Sequence, residues 1–299
     1  MTETSKKLNI SQKVQKRKKR DQNIVFWIFR LFSLSIILIL FAVLGFIVFN
    51  GFSSISWNFL VSMPQDGMTK GGVFPAIIGT LYLTFGSMLF AVPVGIMSGI
   101  YLNEYMKDGW LKKIINQMTN NLAGVPSIVF GLFGMTLFVN KLEFGDSILA
   151  GSLTLGILVL PVIIRTTEEA LKTVDNSIRV GSLALGASKL QTIRKLTFPI
   201  AFPNIITGII ISVGRVSGET APILFTVAAY FLPRLPHSIF DQVMALPYHL
   251  YVISTSGTNI EESRPIAYGT ALVLVLMVLI LNLAANFLRK FFGKKVKMN

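Results

Sequence analysis

The sequence contains no cysteine, which excludes disulfide bonds, thiol catalysis and metal sites built on cysteine. It also has few charged residues, 14% of the total, whereas soluble domains carry about 25%. Hydrophobic residues make up 52% of the chain and gather in long runs. This composition predicts an all-α polytopic membrane protein, because the runs show no alternation typical of a β-barrel.

Motifs for catalysis are missing as well. The chain has no G-x-x-x-x-G-K-[ST] phosphate loop, no H-E-x-x-H zinc motif and no nucleophile elbow. We therefore expect no catalytic residue, no metal site and no cofactor on this chain. If the protein drives transport with ATP, then ATP and Mg²⁺ must be bound by a partner ATPase.

Six apolar runs are long enough to cross a bilayer, which requires about 20 residues in a helix. They cover residues 24–50, 73–102, 116–139, 148–164, 205–232 and 266–287. A signal peptide has an apolar region of about 7–15 residues, so the longer first run predicts an uncleaved anchor. A Gly/Ser/Trp-rich loop at 51–72 separates this anchor from a larger unit, residues 73–290.

The basic residues are distributed unevenly between the two sides of these spans. One side has 22 Lys and Arg, in a tail at 1–23, loops at 103–115 and 165–203, and the C-terminal end from Arg289 through the tail at 291–299, while the other side has four. The positive-inside rule then predicts that both termini lie in the cytoplasm. The net charge of +14 is mostly this topology signal, with no nucleic-acid partner, and the first tail is predicted to be disordered.

Two charges interrupt the fifth span. Arg215 lies about 15 Å beyond the start of the run at Ile205, near the middle of a ~30 Å core, and Glu219 follows one turn later. The pair could neutralise itself and only join helices. Alternatively, Arg215 offers its forked donors to an oxyanion. Pro222 weakens the helix beside them, so Thr220 becomes a further candidate for the substrate path.

Polar residues also enter the third span. Asn120 and Asn121 precede Ala-Gly-Val-Pro and Ser127. They are candidates for a cytoplasmic vestibule, and helix capping at the interface is the alternative. The two histidines, His237 and His249, fall in an outer loop and carry no clear signal.

The 165–203 loop is the longest polar interruption in the second half of the chain and resembles two short helices. Ser188-Lys-Leu-Gln191 has the form of a capping box, and Gly186 suits the left-handed end of the preceding helix. Pro199 and Pro203 are predicted to end the pattern. An ordered surface between two membrane spans predicts a docking site for a cytoplasmic partner.

Several segments carry a resemblance to a known family. Val180-Gly-Ser182, Gly186 and Leu196-Thr-Phe-Pro199 stand where ABC importer permeases have E-A-A, then glycine, then I-x-L-P, although Val180 replaces the glutamate. TNNLAGVPSIVFGLFG, LALGASKLQTIRK, GRVSGETAPILFT and FDQVMALPYHLY occur in the order seen in phosphate permeases of the PstA type. The chain is thus identified as similar to the phosphate permeases among the ABC importers.

This resemblance implies a fold, a partner set and site residues. The fold would be a MetI-like core of five helices preceded by one extra span. The partners would be a second permease of the PstC type, an ATPase dimer of the PstB type and an extracytoplasmic phosphate-binding protein of the PstS type. Arg215 and Glu219 match the family's intramembrane charged pair. The implied ATPase-coupling residues are Arg179, Val180, Gly181, Ser182, Leu185, Gly186, Ala187, Ser188, Leu196 and Pro199.

Rival functions remain on the residues alone. The helix–break–helix in 165–203 resembles a DNA-binding helix-turn-helix, but membrane spans on both sides leave it no room to leave the bilayer. A gradient-driven anion transporter also fits broken helices with charges in the membrane. Charge chemistry leaves a permease for another oxyanion as a further alternative.

Overall fold

A computed structural model describes the chain at residues 3–256 and 260–297, with side chains described for 18–19, 21–256, 260–287 and 289–290. Contacts divide the chain into two units, residues 1–50 and 51–299. The basic side chains predicted at 1–17 and 291–299 lie outside the described residues. The first unit is one helix, α1 (Glu3–Gly51), whose apolar side chains from Ile24 to Phe49 are almost all exposed. The helix begins before the apolar run, because the basic tail contains no proline or glycine to prevent it.

In the second unit, the described residues form helices joined by turns and loops, with a two-stranded hairpin, β1 (Pro64–Gln65) with β2 (Lys70–Gly71), and one isolated bridge. Its helices are α2 (Trp57–Val61), α3 (Phe74–Ile100), α4 (Trp110–Ala123), α5 (Ser127–Gly134), α6 (Ile148–Lys172), α7 (Asn176–Ala184), α8 (Lys189–Thr192), α9 (Phe198–Gly218), α10 (Ala221–Leu224), α11 (Leu246–Thr255) and α12 (Ile260–Lys297). Three π-helical turns extend them, at Tyr101–Tyr105, Met135–Lys141 and Ile193–Thr197.

Helix α6 forms the centre of this unit. It packs against α3, α5 and α9, and its Leu155, Leu158 and Ile163 are buried. The approach of α3 to α6 is close because Gly95 presents no side chain there: a Cβ would overlap Ile163. Small residues at helix crossings are typical of membrane bundles, where packing replaces the hydrophobic driving force.

Residues 3–256 and 260–297 contain five helices long and apolar enough to cross a membrane, or six if the bent pair α4 and α5 counts as one span. The predicted number of six spans therefore agrees with the structure only if the bent pair is counted as the third span. This third span is not a continuous helix. Helix α4 and the α5 segment meet at 100°, with the break between Ala123 and Ser127. Gly124 and Pro126 lie at this break, and a proline disfavours helical geometry in the residue before it.

The fifth span also differs from its prediction. Helix α9 begins at Phe198 and ends at Gly218, so residues 219–232 do not continue it. Pro199 and Pro203 do not end a helix: Pro199 lies in the first turn of α9 and Pro203 lies inside it. The backbone is helical without interruption from Lys189 through the π-helical turn at Ile193–Thr197 to Gly218, so both prolines lie within one span. The α6 helix likewise continues to Lys172, beyond the predicted boundary at Ile164.

Candidate functional site

The intramembrane pair lies at a helix end instead of in mid-helix. Arg215 is in the last turn of α9, and Glu219 follows with extended backbone at φ −73°, ψ 131°. A cation is favoured near a helix C-terminus, where the helix dipole is negative. The short helix α10 follows with Pro222 in its first turn, so the chain is broken just after the pair. Arg215 therefore lies beside a break in the chain, and its depth in the membrane stays a prediction.

The two charges are paired, but Arg215 keeps most of its donors free. Its Nε donates to Oε1 of Glu219 at 3.3 Å, and the side chains are 33% and 16% exposed. In the described part of the chain, Nη1 and Nη2 of Arg215 have no hydrogen-bond partner. Glu219 thus fixes the guanidinium from one edge, and its other edge can receive an oxyanion through two parallel N–H groups.

Two helices, α3 and α9, contribute hydroxyl side chains beside the chain segment that carries Arg215 and Glu219. Ser217 of α9 lies 3.3 Å, oxygen to oxygen, from Thr84 of α3, and both side chains are buried. Thr220, the predicted path residue, is half-buried at the break. Helix α5 packs against α10 so closely that a Cβ at Gly131 would lie 3.0 Å from Cα of Pro222. The break is therefore held between α3 and α5.

The predicted vestibule residues are separated by the bend. Asn120 and Asn121 lie exposed in the last turn of α4, while Ser127 is the first residue of α5 and is half-buried. No hydrogen bond joins them to Arg215 or Glu219 within the described residues. They do not open a span, because the span they were assigned to is bent beyond them. Their role in a substrate path stays a prediction.

The second candidate region is the pair of short helices α7 and α8, here called the coupling segment (residues 176–192). Asp175 caps α7 by accepting a hydrogen bond from the N–H of Ser177 at 2.8 Å, and this bond lowers the pKa of the Asp175 carboxyl. Ser188 and Gln191 form the predicted capping box. Gly186 has φ +84°, the predicted left-handed end. These three local features follow from the sequence.

The coupling segment exposes apolar side chains to solvent. Val180 is 57% exposed, Leu185 91% and Leu190 66%. Gly181, Gly186, Ser188 and Leu196 are also exposed, whereas Ser182, Ala187 and Pro199 are half-buried. Exposed apolar patches of this kind mark interaction surfaces. The predicted ATPase-coupling residues therefore lie mostly at the surface.

Arg179 is the exception among the predicted coupling residues, because it turns inward. It pairs with Glu104 at 2.9 Å, and the two side chains are only 18% and 6% exposed. Removing one partner of a buried ion pair costs roughly 3–5 kcal/mol in general. Sequence reasoning missed Glu104. Its signal was an acidic residue at the end of an apolar run, in a loop otherwise rich in lysine.

Two further polar residues, Glu168 and His249, are buried within helices. Glu168 is buried in α6 between Arg165 and Lys172, each 2.7 Å away. His249, assigned to a loop, is buried in α11, and neither ring nitrogen has a partner in the described part of the chain. Among the described residues, no three His, Cys, Asp or Glu side chains gather as they would around a metal ion.

Comparison with known proteins identifies the family. The profile of the family described as "Binding-protein-dependent transport system inner membrane component" matches residues 91–298. The chain belongs to this family. It is 35% identical over 273 residues to the probable ABC transporter permease protein YqgI of Bacillus subtilis, covering 87% of this chain and 92% of that protein.

Further similarities place the permease more finely. It is 41% identical over 223 residues to the phosphate transport system permease protein PstA of Mycobacterium leprae, covering 74% of this chain and 71% of that one. Its fold matches a chain of the MetNI methionine ABC transporter with a TM-score of 0.55 and 17% identity, over 74% of this chain and 94% of the other. The predicted MetI-like fold is therefore confirmed.

Family membership also confirms the class of the protein. The chain is a multi-pass membrane permease subunit of an ABC importer and not an enzyme, since the ATPase of such a transporter is a separate subunit. A second permease and an ATPase are the partners that this class requires. The gradient-driven transporter and the DNA-binding regulator are thereby set aside.

Proposed function

We propose that this permease conducts inorganic phosphate, as half of the translocation pathway of an ATP-driven importer in the bacterial cell membrane. The observation that carries the proposal is the arrangement at Arg215, whose Nε donates to Glu219 while Nη1 and Nη2 have no hydrogen-bond partner among the described residues. A planar guanidinium of this kind binds tetrahedral oxyanions through paired N–H groups. The PstA name of relatives at 31–41% identity supports phosphate among the oxyanions.

The partners and orientation follow from the same proposal. A PstC-type permease completes the pathway, a PstB-type ATPase dimer binds ATP and Mg²⁺, and a PstS-type protein delivers phosphate from outside. The basic residues favour both termini in the cytoplasm, which places the coupling segment on the side of the ATPase. The exposed apolar side chains of Val180, Leu185 and Leu190 supply the surface for the ATPase to cover.

The test is phosphate uptake by the complete transporter in proteoliposomes. Arg215→Ala removes the charged donors, and each hydrogen bond to a charged group contributes about 1.5–3 kcal/mol, so uptake is expected to fall at least about tenfold. Arg215→Lys keeps the charge but loses the fork, and an intermediate loss is expected. Co-purification of the ATPase with each variant controls for assembly.

Two results would contradict the proposal. Normal phosphate uptake by an assembled Arg215→Ala transporter would remove Arg215 from the substrate path. Uptake of sulfate or molybdate in preference to phosphate by the unaltered transporter would keep the path but favour the alternative, a permease for another oxyanion.

A further inference from the structure

The cytoplasmic end of α3 changes from α-helical to π-helical geometry at Tyr101–Tyr105. Such turns are rare and frequently occur at functional sites. Here two consecutive residues of the turn reach the coupling segment. Glu104 contacts α7, and Tyr105 contacts α8, so one turn of α3 holds both helices.

The contact to α7 is a branched ion pair. Arg179 donates from Nη2 to Oε1 of Glu104 at 2.9 Å and from Nε to the same oxygen at 3.2 Å, and Asn103 donates to that oxygen at 2.9 Å. The two partners are 75 residues apart in the chain. The pairs that Arg165, Lys172 and Arg215 make with glutamates stay within four residues on their own helices or turns. The Glu104–Arg179 pair therefore joins separate elements.

Arg179 also binds the end of α6. Its Nη1 donates to the carbonyl oxygen of Val174 and its Nη2 to that of Leu171, each at 2.7 Å. These carbonyls lie where α6 ends, and the last carbonyls of a helix have no partner within the helix. One guanidinium thus ties α3, α6 and α7 together.

The contact to α8 is a cation–π interaction. Nζ of Lys189 lies 5.0 Å from the centre of the Tyr105 ring. The two helices are in turn joined to each other, because the hydroxyls of Ser182 and Thr192 are 2.9 Å apart. A displacement of either helix is therefore shared by the other and reaches the same π turn.

Open space adjoins the contacts between the π turn and the coupling segment. A cavity of about 670 Å³ lies between them, lined by residues that include Asn103, Glu104, Arg179, Val180, Leu183 and Lys189. Ile178 of α7 and Ile100 of α3 pack against one apolar cluster beside the cavity, and the polar contacts of Glu104 and Tyr105 add direction to that packing. A single contact would let the segment pivot, whereas two contacts on adjacent residues resist rotation as well as separation.

We infer that the π turn transmits a movement of the coupling segment to α3. Glu104 with Arg179 and Tyr105 with Lys189 form a two-point clamp, and Glu104 is a positioning residue whose role is transmission. The inference rests on the proposed function in one respect, that an ATPase docks on the coupling segment. All four residues of the clamp belong to this chain, so the inference requires no residue of the partner.

The test compares phosphate uptake with ATP hydrolysis in the same proteoliposomes containing the whole transporter. Glu104→Gln keeps the shape of the side chain but removes its charge. The ratio of phosphate transported to ATP hydrolysed is expected to fall by about 5-fold to 150-fold, the usual size of the coupling between two sites. ATPase co-purification and basal hydrolysis are expected to stay as in the wild type.

Two further variants separate transmission from folding. Tyr105→Phe keeps the ring that faces Lys189 and is expected to keep the wild-type ratio, while Tyr105→Leu is expected to lower it. Because the chain has no cysteine, Glu104→Cys combined with Arg179→Cys can be bridged by a bifunctional thiol reagent. The ratio is expected to be low before bridging and to recover after it.

A wild-type ratio in Glu104→Gln would overturn the inference. So would a parallel loss of ATPase co-purification, since Glu104 would then act in assembly, and so would a bridged double variant that stays uncoupled. The experiment can also distinguish an error in the proposed substrate from an error in this inference. If the wild type transports no phosphate, stimulation of ATP hydrolysis by the binding protein replaces uptake as the readout, and Glu104→Gln is expected to abolish that stimulation.

Discussion

The turn at Gly186 gives the sharpest prediction about docking. Its φ of +84° joins α7 to α8, with N–H of Gly186 donating to Leu183 at 3.0 Å and N–H of Ala187 donating to Ser182 at 3.2 Å. These two bonds form the Schellman pattern that satisfies the last carbonyls of a helix. A Cβ at Gly186 would meet nothing within 4 Å. Gly186→Ala therefore perturbs the backbone conformation without creating a clash.

The size of the effect follows from that conformation. An L-residue in the left-handed region costs about 1–2 kcal/mol, and asparagine tolerates the region better than alanine does. A change of this size lowers an equilibrium constant by a factor of about 5–30. We expect the affinity of the ATPase for the Gly186→Ala permease pair to fall by that factor, and Gly186→Asn to remain near the wild type.

The assay is titration of the ATPase onto the two permeases in nanodiscs, followed by fluorescence. Equal affinity of Gly186→Ala and wild type would show that docking does not depend on the left-handed turn. An Asn variant as weak as the Ala variant would show that the side chain itself, and not its backbone conformation, disturbs the surface.

Three smaller predictions follow. Asp175→Ala removes the cap of α7 and is expected to destabilise it by about 1 kcal/mol, seen as weaker ATPase binding, whereas Asp175→Asn keeps a capping oxygen and little of that loss. Because its bond to Ser177 lowers the pKa of Asp175, its charge stabilises the fold above the ordinary pKa and is lost only as pH falls below it, so ATPase binding is expected to show no titration of this group between about pH 5 and 8. Gly208→Ala places a Cβ against Thr166 and is expected to cost about 1–3 kcal/mol, lowering the melting temperature of the purified complex, while Gly45→Ala, with nothing within 4 Å, is expected to leave it unchanged.

The features that could be predicted are those that depend on residues adjacent in the sequence. The capping box at Ser188 and Gln191 and the left-handed Gly186 each depend on a few adjacent positions, and the structure has both. The apolar runs likewise predicted the spans, since burial in lipid requires about 20 apolar residues wherever they occur.

The features that were missed depend on partners distant in sequence. Glu104 and Arg179 meet across 75 residues, and no local pattern records that meeting. The effect of proline on the helices was also predicted incorrectly. Pro199 and Pro203 were expected to end a helix that accommodates them, while Pro126, which falls within the predicted third span, lies at a 100° bend. The same residue has different effects according to whether neighbouring elements can satisfy the backbone.

The exposed leucines of the coupling segment also bear on how the chain survives before assembly. An orphan subunit would leave Val180, Leu185 and Leu190 uncovered, and uncovered apolar surfaces are bound by chaperones and quality-control proteases. We expect the unassembled permease to be degraded faster than the assembled one. The cellular amount of this chain would then be set by the supply of its ATPase, with proteolysis removing the excess.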